Sequence, residues 1–362
     1  LLMRDMDKAV ARIRAAVARG EKIAVFGDYD VDGITATCLM TDALRRAGAD
    51  VTYYIPHRLD DGYGLNTPAL EKLRAEGAAL IVTVDCGITG VAEADFARDI
   101  GLDLVITDHH ECREALPQAA AVVDPHRPDC PYPFKNLAGV GVALKLAMAL
   151  AGPEGAEDAF RRYCTLAAIG TVADVMSMTG ENRTIVHCGL QALPQSPCIG
   201  LHALLRQAGL EGKAVTSTSI GFVLSPRINA AGRMRMDEND ENASPSGGHA
   251  AVELLIEGNE SIAAEFGNVI DAYNQDRKSI DRSVTQEAHD FIERNPAMKE
   301  LKSTVIYNPK WMKGIVGIVA SRLIETYYRP TVVLTMSNGF VTGSARSVPG
   351  FDLYQAVESC SD

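Results

Sequence analysis

Between residues 21 and 125 short apolar runs alternate with segments in which apolar residues recur at helical spacing. KIAVFGD (22–28), VTYYIP (51–56), ALIVTVD (79–85), LDLVITD (102–108) and AAVVD (120–124) read as strands. VDGITATCLMTDALRRAGA (31–49), TPALEKLRAEGA (67–78) and a stretch near 89–100 read as the helices between them. Strands that are apolar throughout and alternate with helices predict a parallel sheet covered on both faces, an α/β fold. The first twenty residues read as an amphipathic helix with charges throughout, not as a signal peptide. Residues 126–236 are richer in helix, with 137–152 and 157–175 the strongest segments. Residues 237–248 are polar and of low complexity, the pattern of an exposed loop. A charged helical pattern then runs almost unbroken from about 249 to 293. STVIYN (303–308), a helix near 314–327, TVVLTM (331–336) and GFVTGSA (339–345) restart an α/β pattern. These shifts predict a domain over 1–236, a loop and long connecting helix over 237–297, and a smaller α/β domain over 298–362 that stops short of completion.

A chain of 362 residues holds two or three domains and can bury a sizeable core without disulfides. No run of about 18 apolar residues occurs, which argues against a membrane-spanning helix. The eight cysteines stand singly, with no CxxC pair, as reduced thiols do in a cytoplasmic protein. The net charge of −12 argues against a general nucleic-acid coat, while leaving room for a local basic groove and an acidic metal site. Position 1 is Leu rather than Met, which reads as a piece of a longer chain.

Three strand ends carry chemistry on one edge of the expected sheet. Asp28, Asp30 and Asp32 follow the first strand, and in an extended segment alternate side chains share one side, so the three carboxylates would converge. Crowded carboxylates repel and call for a cation. A solvated acidic turn or a calcium loop would also fit, although the calcium loop lacks its Glu. Asp85 ends the third strand, and Asp108-His109-His110 ends the fourth. A lone Asp at such a place is ordinarily a helix cap, but open α/β sheets bind ligands outside the carboxyl ends of their strands, and three such sites on one edge exceed capping. Asp174 stands near the end of an apolar helix, where a turn residue is an equal reading. Carboxylate oxygens with one or two imidazoles favour Mn²⁺ or Mg²⁺ over Zn²⁺, and shared carboxylates point to two ions that would activate water for phosphoester hydrolysis. Arg58, Arg227, Arg233 and Arg346 sit beside turns or in otherwise apolar segments, where a guanidinium can fork onto phosphate.

The order DYDVDG, VDCG, TDHH, GTVADVM resembles the DHH phosphoesterase superfamily. PHRLDDGYGLN (56–66), SPRINAAGRM (225–234), KGIVGIVASRLIE (313–325) and GSARSVPGFDLYQAV (343–357) narrow the resemblance to its bacterial single-strand-specific exonucleases, over nearly the whole chain. The resemblance implies a parallel-sheet DHH domain joined by a long helix to a DHH-associated domain. It implies that Asp28, Asp30, Asp32, Asp85, His109 and Asp174 hold two Mn²⁺ or Mg²⁺ ions, with Asp85, His110 and Arg233 catalytic and His110 beside the scissile phosphate. Arg58, Ser344 and Arg346 match positions that hold the DNA 5′ end, and Arg227, Asn229 and Arg233 match positions near the scissile phosphate. The implied activity is 5′→3′ hydrolysis of single-stranded DNA to 5′ mononucleotides in recombination and repair, in the cytoplasm, with a single-strand-binding protein and a helicase as candidate partners.

The sequence departs from that pattern in three ways. The segment RMDENDENASPSGGH reads as an insertion, and its Gly247-Gly248-His249 as a chance match to a motif expected beyond residue 362. The chain stops before that motif, and the family's further DNA-binding parts are absent from it, so weak DNA affinity is expected. A phosphoesterase of short oligonucleotides or cyclic dinucleotides is the enzyme alternative, and a non-catalytic replication scaffold the alternative of another class.

Overall fold

In the computed structural model, which describes residues 2–57, 64–233, 247–337 and 339–360, the apolar runs between residues 21 and 125 become parallel strands. β1 (Lys22–Phe26), β2 (Val51–Tyr54), β3 (Ala78–Thr83), β4 (Asp103–Thr107) and β5 (Ala121–Val123) form one sheet in the order β2-β1-β3-β4-β5, parallel throughout. Helix α1 (Met6–Arg19) precedes the sheet, and α2 (Val31–Arg46), α3 (Thr67–Ala75) and α4 (Val91–Asp99) connect successive strands. Their ends follow local chemistry. The Asn66 side chain caps α3 by accepting from Ala69 N at 2.9 Å, and Gly20 closes α1 in the left-handed region.

Alternation along the strands feeds two layers. Ala24, Phe26, Ile81, Leu104 and Ile106 pack with Leu70, Leu73 and Ala94 of α3 and α4. Ile23, Val25, Leu80, Val82 and Val105 are equally buried and point to the opposite face. Each buried Leu, Ile or Phe contributes roughly 1.5–3 kcal/mol. Because β1 leads to β2 on one side and β3 lies on the other, the order reverses between β1 and β3, and a crevice opens there at the carboxyl ends.

Past the sheet, α5 (Gly139–Ala173) joins two helical stretches at Gly152, φ 76°, followed by Pro153. The two helices read from the sequence are thus a kinked pair. There follow α6 (Gly180–Ala192), α7 (Ile199–Gln207), a short helical turn α8 (Ser217–Ser219), a π-turn at Ile220–Leu224, α9 (Ser225–Ala231), α10 (Gly247–Ile256) and α11 (Glu260–Glu293). The long helix expected from 249 to 293 is broken in two. Gly258 falls in the break, and Asn259 Oδ1 accepts from Ser261 N (2.9 Å) and Ile262 N (3.3 Å), capping a new start. Most of the expected loop lies outside the described residues, and Gly247 and Gly248 already belong to α10.

The chain divides into two units, Leu1–Asp271 and Ala272–Asp362. Besides the end of α11, the second holds α12 (Pro296–Lys299), β6 (Thr304–Tyr307), α13 (Lys313–Tyr327), β7 (Thr331–Ser337), β8 (Phe340–Arg346) and α14 (Leu353–Glu358). Its sheet runs β6-β7-β8, the first pair parallel and the second antiparallel. Trp311 packs there with Ile315, Val319 and Leu323, and its Nε1 donates to Glu287 at 2.9 Å. All eight cysteines are free thiols. Among the described residues no helix is long and apolar enough to cross a membrane.

Candidate metal centre

The three carboxylates after β1 converge, but not along an extended segment. The strand ends at Phe26, Asp28 lies in the loop, Asp30 is the N-cap of α2 and Asp32 sits in its first turn. Asp30 Oδ1 accepts from Gly33 N at 3.0 Å. Asp32 reaches across to α5, where its oxygens accept from Gly139 N (2.7 Å) and Val140 N (2.9 Å). A carboxylate on these first amides is favoured by the helix dipole.

Asp85 lies two residues past β3 with φ 62°, in the left-handed region that Asp tolerates better than most residues. It is closely walled by α5. A Cβ added to Gly139 would fall 2.5 Å from Asp85 Oδ1, so a larger residue here must displace either that carboxylate or the helix start. β4 is tied to β3 by Thr107 Oγ1, which donates to Thr83 O at 2.6 Å, and it delivers Asp108, His109 and His110 to the same edge. Asp174 is the C-cap of α5.

His109 Nε2 stands 3.0 Å from Asp85 Oδ1, 3.7 Å from Asp174 Oδ2 and 3.8 Å from Asp32 Oδ2. It is buried and has hydrogen-bond geometry to none of them. A bare ring nitrogen among three carboxylate oxygens is what a cation-binding position looks like from the ligand side. Three groups of side chains each bring their ligand atoms within 4.8 Å of one another: Asp28, Asp30 and Asp85; Asp32, His109 and Asp174; Asp85, His109 and His110. The first two share no residue.

The electrostatics agree. Burial, then the charges of Asp174 and Asp30, push the Asp32 carboxyl well above its usual range, against the pull of the Val140 and Gly139 amides. Burial, then Asp32 and Asp30, do the same to Asp85, and burial with Asp30 raises Asp174 to about 6. Burial and the neighbouring His110 hold His109 down to about 4, so its ring is neutral, as a ligand must be. Carboxylates under this mutual strain are relieved by divalent cations, and oxygen donors with one imidazole suit Mn²⁺ or Mg²⁺.

His110 differs. Its Nδ1 lies 2.7 Å from Asp108 Oδ1. Burial works against its charged form, but the hydrogen bond and charge of Asp108 outweigh it and raise His110 to about 9. Asp108 is buried and receives the amides of Ile88 (2.9 Å) and His109 (2.7 Å); with His110 these hold its carboxyl below the usual range despite burial. Sequence reasoning named Asp108 without giving it a role; its position two residues before His110 was the available signal.

The remaining candidates are placed unevenly. Arg233 follows Gly232, whose added Cβ would lie 2.8 Å from Tyr29 O, so the end of α9 abuts the acidic loop. Asn229 is half-buried on α9. Arg227 is engaged elsewhere: Nε pairs with Asp271 at 3.1 Å and Nη1 donates to Val223 O at 2.8 Å. Arg58 lies outside the described residues. In the second unit, Arg346 Nη1 donates to Ser344 Oγ (3.1 Å) and Nε to Ser321 Oγ (3.2 Å).

Residues 22–171 match the family model described as DHH family, N-terminal domain. The single-stranded-DNA-specific exonuclease RecJ of Bacillus subtilis (strain 168) is 41% identical over 364 residues, covering 99% of this chain and 44% of that protein. A crystal structure of exonuclease RecJ bound to manganese is 31% identical with a TM-score of 0.83, covering 99% of this chain and 86% of that one. RecJ from Thermus thermophilus in complex with Mn²⁺ is 29% identical with a TM-score of 0.84, covering 100% of this chain and 50% of that one. Its Mg²⁺ complex is 27% identical with a TM-score of 0.74, covering 100% and 47%. The chain belongs to the DHH family, in its RecJ branch. It spans about half the length of the curated relatives it matches.

Proposed function

We propose that this chain is the hydrolytic part of an exonuclease that removes 5′ mononucleotides from single-stranded DNA, using two Mn²⁺ or Mg²⁺ ions. The observation that carries this reading is the pair of disjoint donor groups, Asp28, Asp30 and Asp85 beside Asp32, His109 and Asp174. Bound there, such ions supply an activated water and stabilise the departing oxygen. Asp28, Asp30, Asp32, Asp85, His109 and Asp174 hold and space them. Asp108 fixes the His110 ring and keeps it protonated at neutral pH, so His110 can stabilise charge on the scissile phosphate and give a proton to the leaving oxygen. Arg233, beside the acidic loop, is assigned to the scissile phosphate with Asn229. Arg227, held by Asp271, is assigned there only through the turn it braces.

Ser344, Arg346 and Arg58 are assigned to the DNA 5′ end. We take the first unit, with the five-stranded parallel sheet, as the catalytic domain and the second unit as substrate-binding. The setting we assign is recombination and repair in a reducing bacterial cytoplasm, in keeping with eight free thiols, with a single-strand-binding protein and a helicase as partners. Hydrolysis of a long 5′-phosphorylated oligonucleotide compared with a dinucleotide tests the reading. Preference for the long strand supports it; cleavage of the dinucleotide alone replaces it with a short-substrate phosphoesterase.

A further inference from the structure

Val175 and Phe222 are the most exposed large apolar side chains among the described residues, at 87% and 81%. Val175 follows the last turn of α5, and the turn that carries Phe222 packs against the same end of that helix. Val175 N donates to Val172 O at 3.2 Å, and a Cβ added to Gly221 would lie 3.8 Å from Val172 Cγ1. Val175 directly follows Asp174, one of the second donor group, and has φ 57°. A β-branched residue in the left-handed region is a true outlier, and such strain gathers at functional sites.

Phe222 stands in the π-turn, a backbone form itself common at functional sites. Its exposure is built in. Ile220 and Leu224 on either side are fully buried, and Arg227, braced by Asp271, holds the Val223 carbonyl at 2.8 Å. The frame is anchored at both ends and presents one aromatic face to water beside a candidate phosphate-cleaving centre.

We propose that Phe222, on the turn that packs against the end of α5 leading to Asp174, is a stacking platform for a base of the single strand whose backbone passes the Asp32–His109–Asp174 group. This rests on the single-stranded DNA reading. A flat ring beside a backbone site takes any base, because every base has a π-face, and so suits an enzyme that removes nucleotides whatever their sequence. Asp174, next to Val175, belongs to a donor group that would hold a cation, and a cation there draws the anionic backbone of a nucleic-acid strand rather than an apolar peptide.

The test uses the whole 362-residue chain. Phe222→Ala is expected to weaken oligo(dT) about tenfold, mostly in KM, and Phe222→Tyr to restore it. On an oligonucleotide with abasic sites the parent and Phe222→Ala are expected to behave alike. In a second arm that needs no cleavage, Phe222→Trp fluorescence is expected to be quenched by oligo(dT) and not by the abasic strand, with buried Trp311 as the constant background. An Ala variant equal to the parent on oligo(dT), an equal loss on the abasic strand, or unquenched fluorescence while oligo(dT) binds overturns the platform. If the parent cleaves no single strand, the exonuclease reading fails separately, and quenching still decides whether a base stacks at Phe222.

Discussion

Oδ1 of Asp108 lies 2.7 Å from Nδ1 of His110 while also receiving the His109 amide, so one buried carboxylate sets both the loop and the charge of the ring. Asp108→Asn keeps the volume but removes the negative charge that holds His110 protonated. Turnover of single-stranded DNA is expected to fall about 10–100-fold, in line with losses of supporting partners, while Mn²⁺ affinity changes much less. Calorimetric Mn²⁺ titration beside steady-state kinetics checks this, and an equal loss of both would make Asp108 a support of the ion site instead.

Gly139 faces Asp85 with no room for a methyl group. Gly139→Ala must displace either the Asp85 carboxylate or the start of α5, which also supplies an amide to Asp32. Mn²⁺ affinity is expected to drop about 10–100-fold with the far-UV circular dichroism of the parent retained. Unchanged affinity would show that the helix start can yield.

Crowded buried carboxylates destabilise the ion-free protein. Each Mn²⁺ held at 100 times its dissociation constant should stabilise the parent by about 2.7 kcal/mol, visible as a raised Tm. Asp85→Asn removes one of the repelling charges. Its ion-free Tm is expected to match or exceed the parent's, and its Mn²⁺-induced rise to be largely lost. Thermal melts with and without chelator read both quantities; a full Mn²⁺-induced rise in the variant would remove Asp85 from the ligand set.

Asp124, at the end of β5, is fully buried. His126 N donates to its Oδ1 at 2.7 Å, and Oδ2 has no hydrogen-bond partner. Burial raises its carboxyl to about 8, with the His126 amide opposing. A raised folded-state pKa means that the neutral form stabilises the fold fully below the unfolded value of about 3.9, and that this contribution is lost as pH rises through about 8. Asp124→Asn should therefore melt close to the parent at pH 4 and several degrees above it at pH 8.5, both in chelator. A constant difference across that range would mean that Asp124 does not titrate as described.

The parallel sheet was legible because each strand is apolar throughout and each is followed by a helix, as at Ala78–Thr83 and Val91–Asp99. The placement of Asp85 and His109 at one edge followed from that topology alone. The geometry of Asp28, Asp30 and Asp32 did not, because no period-two rule survives the turn at Gly27, where strand gives way to a helix cap. The break at Gly258 was hidden by the helical spacing on either side of it. The Asp32 bonds to Gly139 and Val140 span 107 and 108 residues, and long-range pairing of this kind leaves no local pattern. The left-handed Val175 was illegible for the opposite reason, since its local preference argues against the conformation that the fold imposes.

Digestion of single-stranded DNA labelled at its 3′ end, with Mn²⁺ and with duplex DNA alongside, tests the central claim most directly. The expected result is a ladder shortening from the 5′ end, with duplex spared and the Asp85→Ala variant inactive. Cleavage that begins internally, or an Asp85→Ala variant that keeps the parent's Mn²⁺-dependent ladder, would contradict it.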